Sequence, residues 1–213
     1  MLASPVSGGR PRGAARRELL LDAVLWIVAE VGVDAVTHRR VAEVAGLPLA
    51  STTYWFDSKE HLLTAALERA AERDIERLRA FLRDGPKHAE DPLGLVVEAI
   101  LDPTDDSAKA PPSGAADPID FPSRGRLLAT FTLALEAARR PALRDVWMRW
   151  TDAYLEALPP LLAAAGSRDP ESDTELLLAA ADGLLLEQLA SGDADLPALA
   201  PPLRRLADAL VKA

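Results

Sequence analysis

Apolar residues recur at helical spacing along most of this chain, and the breaks in that rhythm mark where one helix stops and another begins. From about Ala15 to Val31, the residues Leu20, Val24, Ile27, Val28 and Val31 fall on one stripe, with Gly32 as the stop. A short helix follows, in which the Thr37 hydroxyl can accept from first-turn amides while Val41, Ala42 and Ala45 repeat behind it. Gly46 suits a tight turn, Leu47 can plug the space between two helices, and Pro48 fits a first turn that needs no N–H. The next helix, Leu49 to Trp55, carries Ser51, Thr52 and Thr53, poor choices for burying apolar area but suited to base edges and phosphates. Asp57 with Glu60 reads as a capping box opening a long helix from Ser58 to about Arg83. Its apolar side holds Leu62, Leu63, Ala66, Leu67, Ala70, Leu78 and Leu82, and Gly85-Pro86 ends it. Its charges, Glu68, Arg69, Glu72, Arg73, Glu76 and Arg77, read as a solvated face with i,i+4 pairs.

Farther on, Asp91-Pro92 starts a shorter apolar helix running to Leu101. The stretch Asp102 to Pro122, rich in Pro, Asp, Ala and Ser and without periodicity, reads as a long loop, either a lid over a ligand entrance or a tolerated insertion. Arg124 to Arg140 is expected to be a helix with Leu128, Phe131 and Leu135 turned inward, and with Thr132 beside them. Pro141 begins another, which carries Val146, Trp147, Trp150, Tyr154 and Leu158 before Pro159-Pro160 breaks or kinks it. That aromatic stripe is either core or the wall of a small-molecule pocket formed by Phe131, Leu135, Trp147, Trp150 and Tyr154. Ser172 or Asp173 should cap the next helix, whose TELLLAAADGLLLEQLAS run is apolar on more than one side and so needs two partners. With a final amphipathic helix from Pro197 to Lys212, it looks like half of a four-helix bundle completed by a second subunit. Leu177, Ala181, Leu184, Leu185 and Gln188 of the first, with Leu203, Leu206 and Leu210 of the second, are the expected dimer contacts. Gly183 either permits close helix approach there or is simply tolerated.

Composition narrows this picture. Hydrophobic residues make up 49% of the 213 residues but aromatics only 5%, so the core is built from Ala, Leu and Val, which favours packed helices. The absence of cysteine removes disulfides, thiol nucleophiles and thiolate metal sites together. With no long uncharged apolar run and no signal core, a soluble cytoplasmic protein without membrane attachment is expected. The net charge of −9 is unevenly spread: residues 1–60 hold seven Lys/Arg against seven Asp/Glu, so residues 61–213 carry the whole excess. Within the first part, residues 1–17 contain Arg10, Arg12, Arg16 and Arg17 and no acid. Such an arm either follows a phosphate backbone or is a disordered tail that happens to be basic.

The segment from Thr37 to Leu63 is therefore a helix-turn-helix with a third helix starting after it, an arrangement that holds one helix against DNA. Its Thr37, Val41-Ala42, Ala45-Gly46-Leu47 and above all the run Tyr54-Trp55-Phe56-Asp57-Ser58-Lys59-Glu60-His61-Leu62 resemble the TetR family of bacterial one-component transcription regulators. One departure is Arg40, standing where an acidic residue would complete a capping box with Thr37. The resemblance implies an all-α chain: a flexible basic arm (1–14), a three-helix DNA-binding domain (15–61), and a larger C-terminal helical ligand-binding and dimerisation domain (62–213). It implies phosphate contacts by Thr37 and Lys59, supplemented by Arg39 and Arg40, base-edge contacts by Ala50, Ser51 and Thr53, and contacts to either by Tyr54 and Trp55. Phe56 is expected in the core.

By the same resemblance, the chain is a homodimeric repressor that binds a palindromic operator in double-stranded DNA and is released by a small-molecule effector. The alternative is a DNA-binding architectural protein without an effector. No cofactor, metal or catalytic residue is expected. The three histidines, His38, His61 and His88, form no metal-binding pair, and no nucleophile elbow, phosphate loop or dinucleotide fingerprint is present.

Overall fold

The computed structural model describes residues 10–83, 90–101, 123–192 and 195–212, with backbone alone for residues 10–12 and 123. Ten α-helices make up nearly all of this: α1 (Arg10–Val31), α2 (His38–Val44), α3 (Leu49–Trp55), α4 (Lys59–Arg83), α5 (Pro92–Leu101), α6 (Ser123–Ala137), α7 (Pro141–Ala157), α8 (Pro159–Ala164), α9 (Pro170–Ser191) and α10 (Ala200–Lys212). Short 3-10 turns precede α2 (Val33–Ala35) and α10 (Leu196–Leu199). The expected 102–122 loop, the Gly85-Pro86 stop, His88 and residues 1–9 of the arm lie outside the described residues.

Contacts divide the described residues into two units, one of residues 10–67 with 123–133, the other of residues 68–83, 90–101, 134–192 and 195–212. In the first, α1 begins at Arg10, five residues before the periodicity placed it, so residues 10–14 of the expected flexible arm, Arg10 and Arg12 among them, are helical. Leu20, Val24, Ile27 and Val28 are buried as expected, together with Leu21, Ala23 and Leu25. Val31 is instead half exposed, because α1 ends there and Gly32, at φ 95°, turns the chain away. Phe56, 1% exposed, is buried within this unit, and the Arg17 guanidinium stands 5.6 Å from its ring centroid.

The second unit is built around Leu78, Leu93, Val96, Leu158, Leu162, Leu177 and Ala207, which bring α4, α5, α8, α9 and α10 to one core, with Tyr154 and Ala157 of α7 packed against it. A second cluster of Val97, Leu101, Ala181, Leu199 and Leu203 extends it. Asp91 caps α5 by accepting from the Gly94 N–H at 3.0 Å, and its other oxygen accepts from Arg204 of α10 at 2.5 Å. That hydrogen bond raises the Arg204 pKa above its ordinary value. A Cβ on Gly94 would lie 2.5 Å from the same carboxylate oxygen, which explains a glycine inside a helix.

Several sequence expectations are corrected here. Asp169, not Ser172 or Asp173, caps α9 by accepting from the Ser172 N–H, and Pro170 opens the helix. Asp173 is buried and accepts from the Ser167 hydroxyl at 2.6 Å. The final helix begins at Ala200, because Asp195 first caps a 3-10 turn. On α6 the buried face is Gly125, Ala129, Leu133 and Ala137, so Leu128 and Phe131 are only half-buried and Leu135 is 69% exposed.

Candidate nucleic-acid interface and effector region

The helix-turn-helix forms through local chemistry alone. Thr37 Oγ1 accepts from the Arg40 N–H at 3.2 Å, the cap expected from sequence. Gly46 takes φ 63°, and the Leu47 N–H reaches back to the Ala42 carbonyl at 2.9 Å, closing α2 and aiming the chain into α3. Pro48, rather than sitting inside α3, is the residue before it, and its carbonyl accepts from Ser51 at 2.8 Å.

Within α3 two faces separate cleanly. Thr52 is fully buried, with its hydroxyl donating to the Leu49 carbonyl at 2.8 Å and lying 3.4 Å from the His38 carbonyl. It therefore locks α3 onto α2 and belongs to the packing, contrary to its expected place on the polar outer face. Leu49, Ala50, Thr53 and Tyr54 are exposed, Tyr54 to 78%, while Ser51 and Trp55 are half-buried. Positions 49, 50, 53 and 54 share one side of the helix. Tyr54 and Trp55 meet edge to face at 4.9 Å. A Cβ placed on Gly13 of α1 would lie 3.7 Å from the Trp55 ring, so α1 passes close to the end of α3. Arg39 and Arg40 are exposed at the start of α2.

The start of α4 differs from the expected capping box. Ser58, not Asp57, caps it by accepting from the His61 N–H at 3.1 Å, and the Asp57 N–H donates to His61 Nδ1 at 3.4 Å. Lys59 is anchored: its ammonium donates to the Asp34 carbonyl at 3.2 Å and lies 3.7 Å from the Asp34 carboxylate. It remains partly exposed, so it presents its charge from a fixed point beside the helix-turn-helix.

In the second unit, the aromatic stripe on α7 is half-buried and turned to α4. Trp147 and Trp150 meet edge to face at 5.7 Å. Trp150 Nε1 donates to one Asp74 carboxylate oxygen at 2.7 Å and the Tyr154 hydroxyl donates to the same oxygen at 2.5 Å. Arg77 pairs with the other oxygen and lies 3.3 Å from the Tyr154 hydroxyl. Sequence reasoning missed this cluster: it placed Arg77 on a solvated face and passed over Asp74. The available signal was spacing, because Asp74 lies one turn before buried Leu78 and so on the same side of α4. Of the expected pocket residues, the structure gathers Trp147, Trp150 and Tyr154. Phe131 is half-buried in the other unit, and Leu135 is exposed.

Comparison with known proteins places these features in context. A family model described as a tetracyclin repressor-like C-terminal domain matches residues 114–213. The HTH-type transcriptional repressor KstR of Mycolicibacterium smegmatis is 44% identical over 71 residues, 33% of this chain and 35% of that protein. The chain thus spans about a third of the length of that curated relative. A TetR transcription regulator from Haloarcula marismortui shares the fold with a TM-score of 0.73 at 19% identity, covering 92% of this chain and 98% of the other. The multidrug binding protein EbrR complexed with ethidium is 29% identical with a TM-score of 0.59, covering 90% and 98%. Among the described residues, no helix is long and apolar enough to cross a membrane.

Proposed function

The chain belongs to the TetR family of transcriptional regulators, and from that premise we propose that it is a cytoplasmic homodimeric repressor released from a palindromic operator by a small-molecule effector. The observation that carries the DNA-binding part is the outer face of α3, where Leu49, Ala50, Thr53 and Tyr54 stand exposed on a helix fixed from behind by buried Thr52 and Phe56. Ser51 and Trp55 border that face, and Thr37, Arg39, Arg40 and Lys59 supply hydroxyl and positive charge for flanking phosphates.

Dimerisation uses a different side of α9 from the one expected. Leu177, Ala181 and Leu203 are buried within the single chain, and Leu184, Leu185, Leu206 and Leu210 pack against the same clusters. The free stripe is Leu176, Ala179, Gly183, Leu186 and Ala190, all exposed and repeating at steps of three and four. A Cβ on Gly183 would meet nothing within 4 Å, so any close approach there would come from a second subunit. Replacing Leu186 with Asp should convert the dimer to monomer in sedimentation equilibrium; an unchanged dimer would remove this face from the reading.

An effector can weaken DNA binding only by preferring a conformer unsuited to the operator. The helix α4 starts in the first unit and carries Asp74 and Arg77 in the second. A planar apolar compound inserted beside Trp147 and Trp150 would compete for the contacts that hold α7 to Asp74, and so bias α4. EbrR, which binds ethidium, supports this class of ligand. One observation favours the effector-independent reading: Asp74 already satisfies the polar ends of both Trp150 and Tyr154. Footprinting on DNA flanking the gene, with and without a panel of hydrophobic compounds at fixed salt, separates the two. Protection of two half-sites about 34–36 Å apart, lost with one compound, is the expected result. Protection that no compound disturbs assigns the effector-independent role, and no protection at all overturns both.

A further inference from the structure

The first residue of α3 is an anomaly that the DNA-binding reading does not by itself explain. Leu49 is 50% exposed, whereas Leu47, two residues earlier, is half-buried beneath the turn. Full burial of a leucine is worth roughly 1.5–3 kcal/mol, and the isolated chain leaves much of that unrealised at position 49. Nor does the surrounding surface suggest a polar task. Its exposed neighbours on the same side are Ala50, Thr53 and Tyr54, with no Lys, Arg, Asn or Gln anywhere from Leu49 to Trp55. The Thr53 hydroxyl lies 3.4 Å from the Ala50 carbonyl, so even this polar group has an acceptor within its own helix.

A recognition surface without bidentate donors or acceptors cannot use the commonest means of reading guanine or adenine. The major groove displays a single apolar group, the 5-methyl of thymine. A half-exposed leucine beside an alanine methyl is chemically matched to that group and to nothing else at the base edges. Resting on the DNA-binding reading above, we infer that Leu49 is a specificity-determining residue that selects thymine at one position of each half-site by covering its 5-methyl. The two copies in a dimer would place this requirement symmetrically in the operator.

The test replaces the thymines of the footprinted operator one at a time, in both half-sites together, with deoxyuridine, which preserves pairing and every hydrogen-bonding group and deletes only the methyl. Affinity is measured for the wild-type chain, Leu49→Ala and Leu49→Met, with thermal melting of each variant as a check on folding. At one symmetric position the wild-type chain should lose about fourfold per methyl, hence about sixteenfold per operator. Leu49→Ala should bind thymine and uracil operators equally at that position, and Leu49→Met should restore part of the difference. Wild-type affinity unchanged by every uracil substitution overturns the assignment. So does a Leu49→Ala variant that keeps the wild-type sensitivity at every position, since the methyl is then read by another side chain. A protein that gives no footprint on unmodified DNA fails earlier, at the DNA-binding reading, and is told apart from the other failures at the first step.

Discussion

Tyr54 on α3 is 78% exposed, while Tyr154 on α7 donates its hydroxyl at 2.5 Å to a half-buried carboxylate that Trp150 and Arg77 also hold. Both tyrosines accompany a tryptophan on a helix, yet one unit leaves its tyrosine facing water and the other ties its tyrosine and tryptophan into a network. The difference follows from what each helix has behind it. α3 is seven residues long and is held by one side through Thr52, so everything on its opposite side is left over for another molecule. α7 faces α4 across a shared core, where a polar tip must find a partner or cost free energy. Exposed side chains on a rigid support suit recognition of a large, hydrated partner such as DNA. Side chains with internal partners make a region that a ligand must rearrange before it can bind.

Breaking either unit's interior should cost most. Phe56→Ala removes the largest fully buried side chain among the described residues and should destabilise by about 3–5 kcal/mol, read by urea unfolding, whereas Tyr54→Ala should leave the curve in place. Next comes Asp74→Ala, which leaves the Trp150 N–H, the Tyr154 hydroxyl and Arg77 without their shared acceptor and should cost about 2–3 kcal/mol. If it unfolds no earlier than the exposed-site control Glu76→Ala, the contrast between the units is lost. Gly94→Ala should cost about 1–2 kcal/mol by forcing Asp91 from its cap and from Arg204, again by urea unfolding, and Arg204→Ala in the same background should add little further loss.

The smallest effect concerns acid. The Arg140 hydrogen bond, with charge from Arg139 and Arg140, holds the Glu136 carboxyl below its ordinary pKa of 4.5, where burial alone would raise it. A depressed carboxylate stabilises the native state above its unfolded pKa and loses that contribution as pH falls through the native value. Wild-type protein should therefore lose melting temperature on acidification below about pH 4.5 more steeply than Glu136→Gln. Parallel pH profiles would show that the link between α6 and α7 carries no stability.

Much of the first unit was legible because its signals are local. Thr37, Gly46 and the Tyr54-Trp55-Phe56 run each dictate a cap, a turn or a buried anchor within a few residues. Two of the errors there, Thr52 and Asp57, arise where adjacent polar residues compete for one role and only packing decides. In the second unit the helices were legible but their faces were not. Leu135 and Leu177 are both leucines on apolar helices, and their opposite fates, exposed and buried, depend on which neighbour each helix meets. No pattern within α9 distinguishes the stripe that packs on α5 and α10 from the one left free. Spacing on α4 could turn Asp74 inward but could not name its partners, which lie 76 and 80 residues away in sequence.

The most direct test of the central claim, that the outer face of α3 reads DNA on a scaffold that does not need it for stability, is one paired titration. Wild-type protein and the Thr53→Ala/Tyr54→Ala double variant are titrated against the footprinted operator at the same salt, with a melting curve recorded for each. The account predicts that the double variant loses at least about tenfold in affinity while its melting temperature stays that of the wild type. Equal affinity for the operator, with both proteins folded, would contradict it.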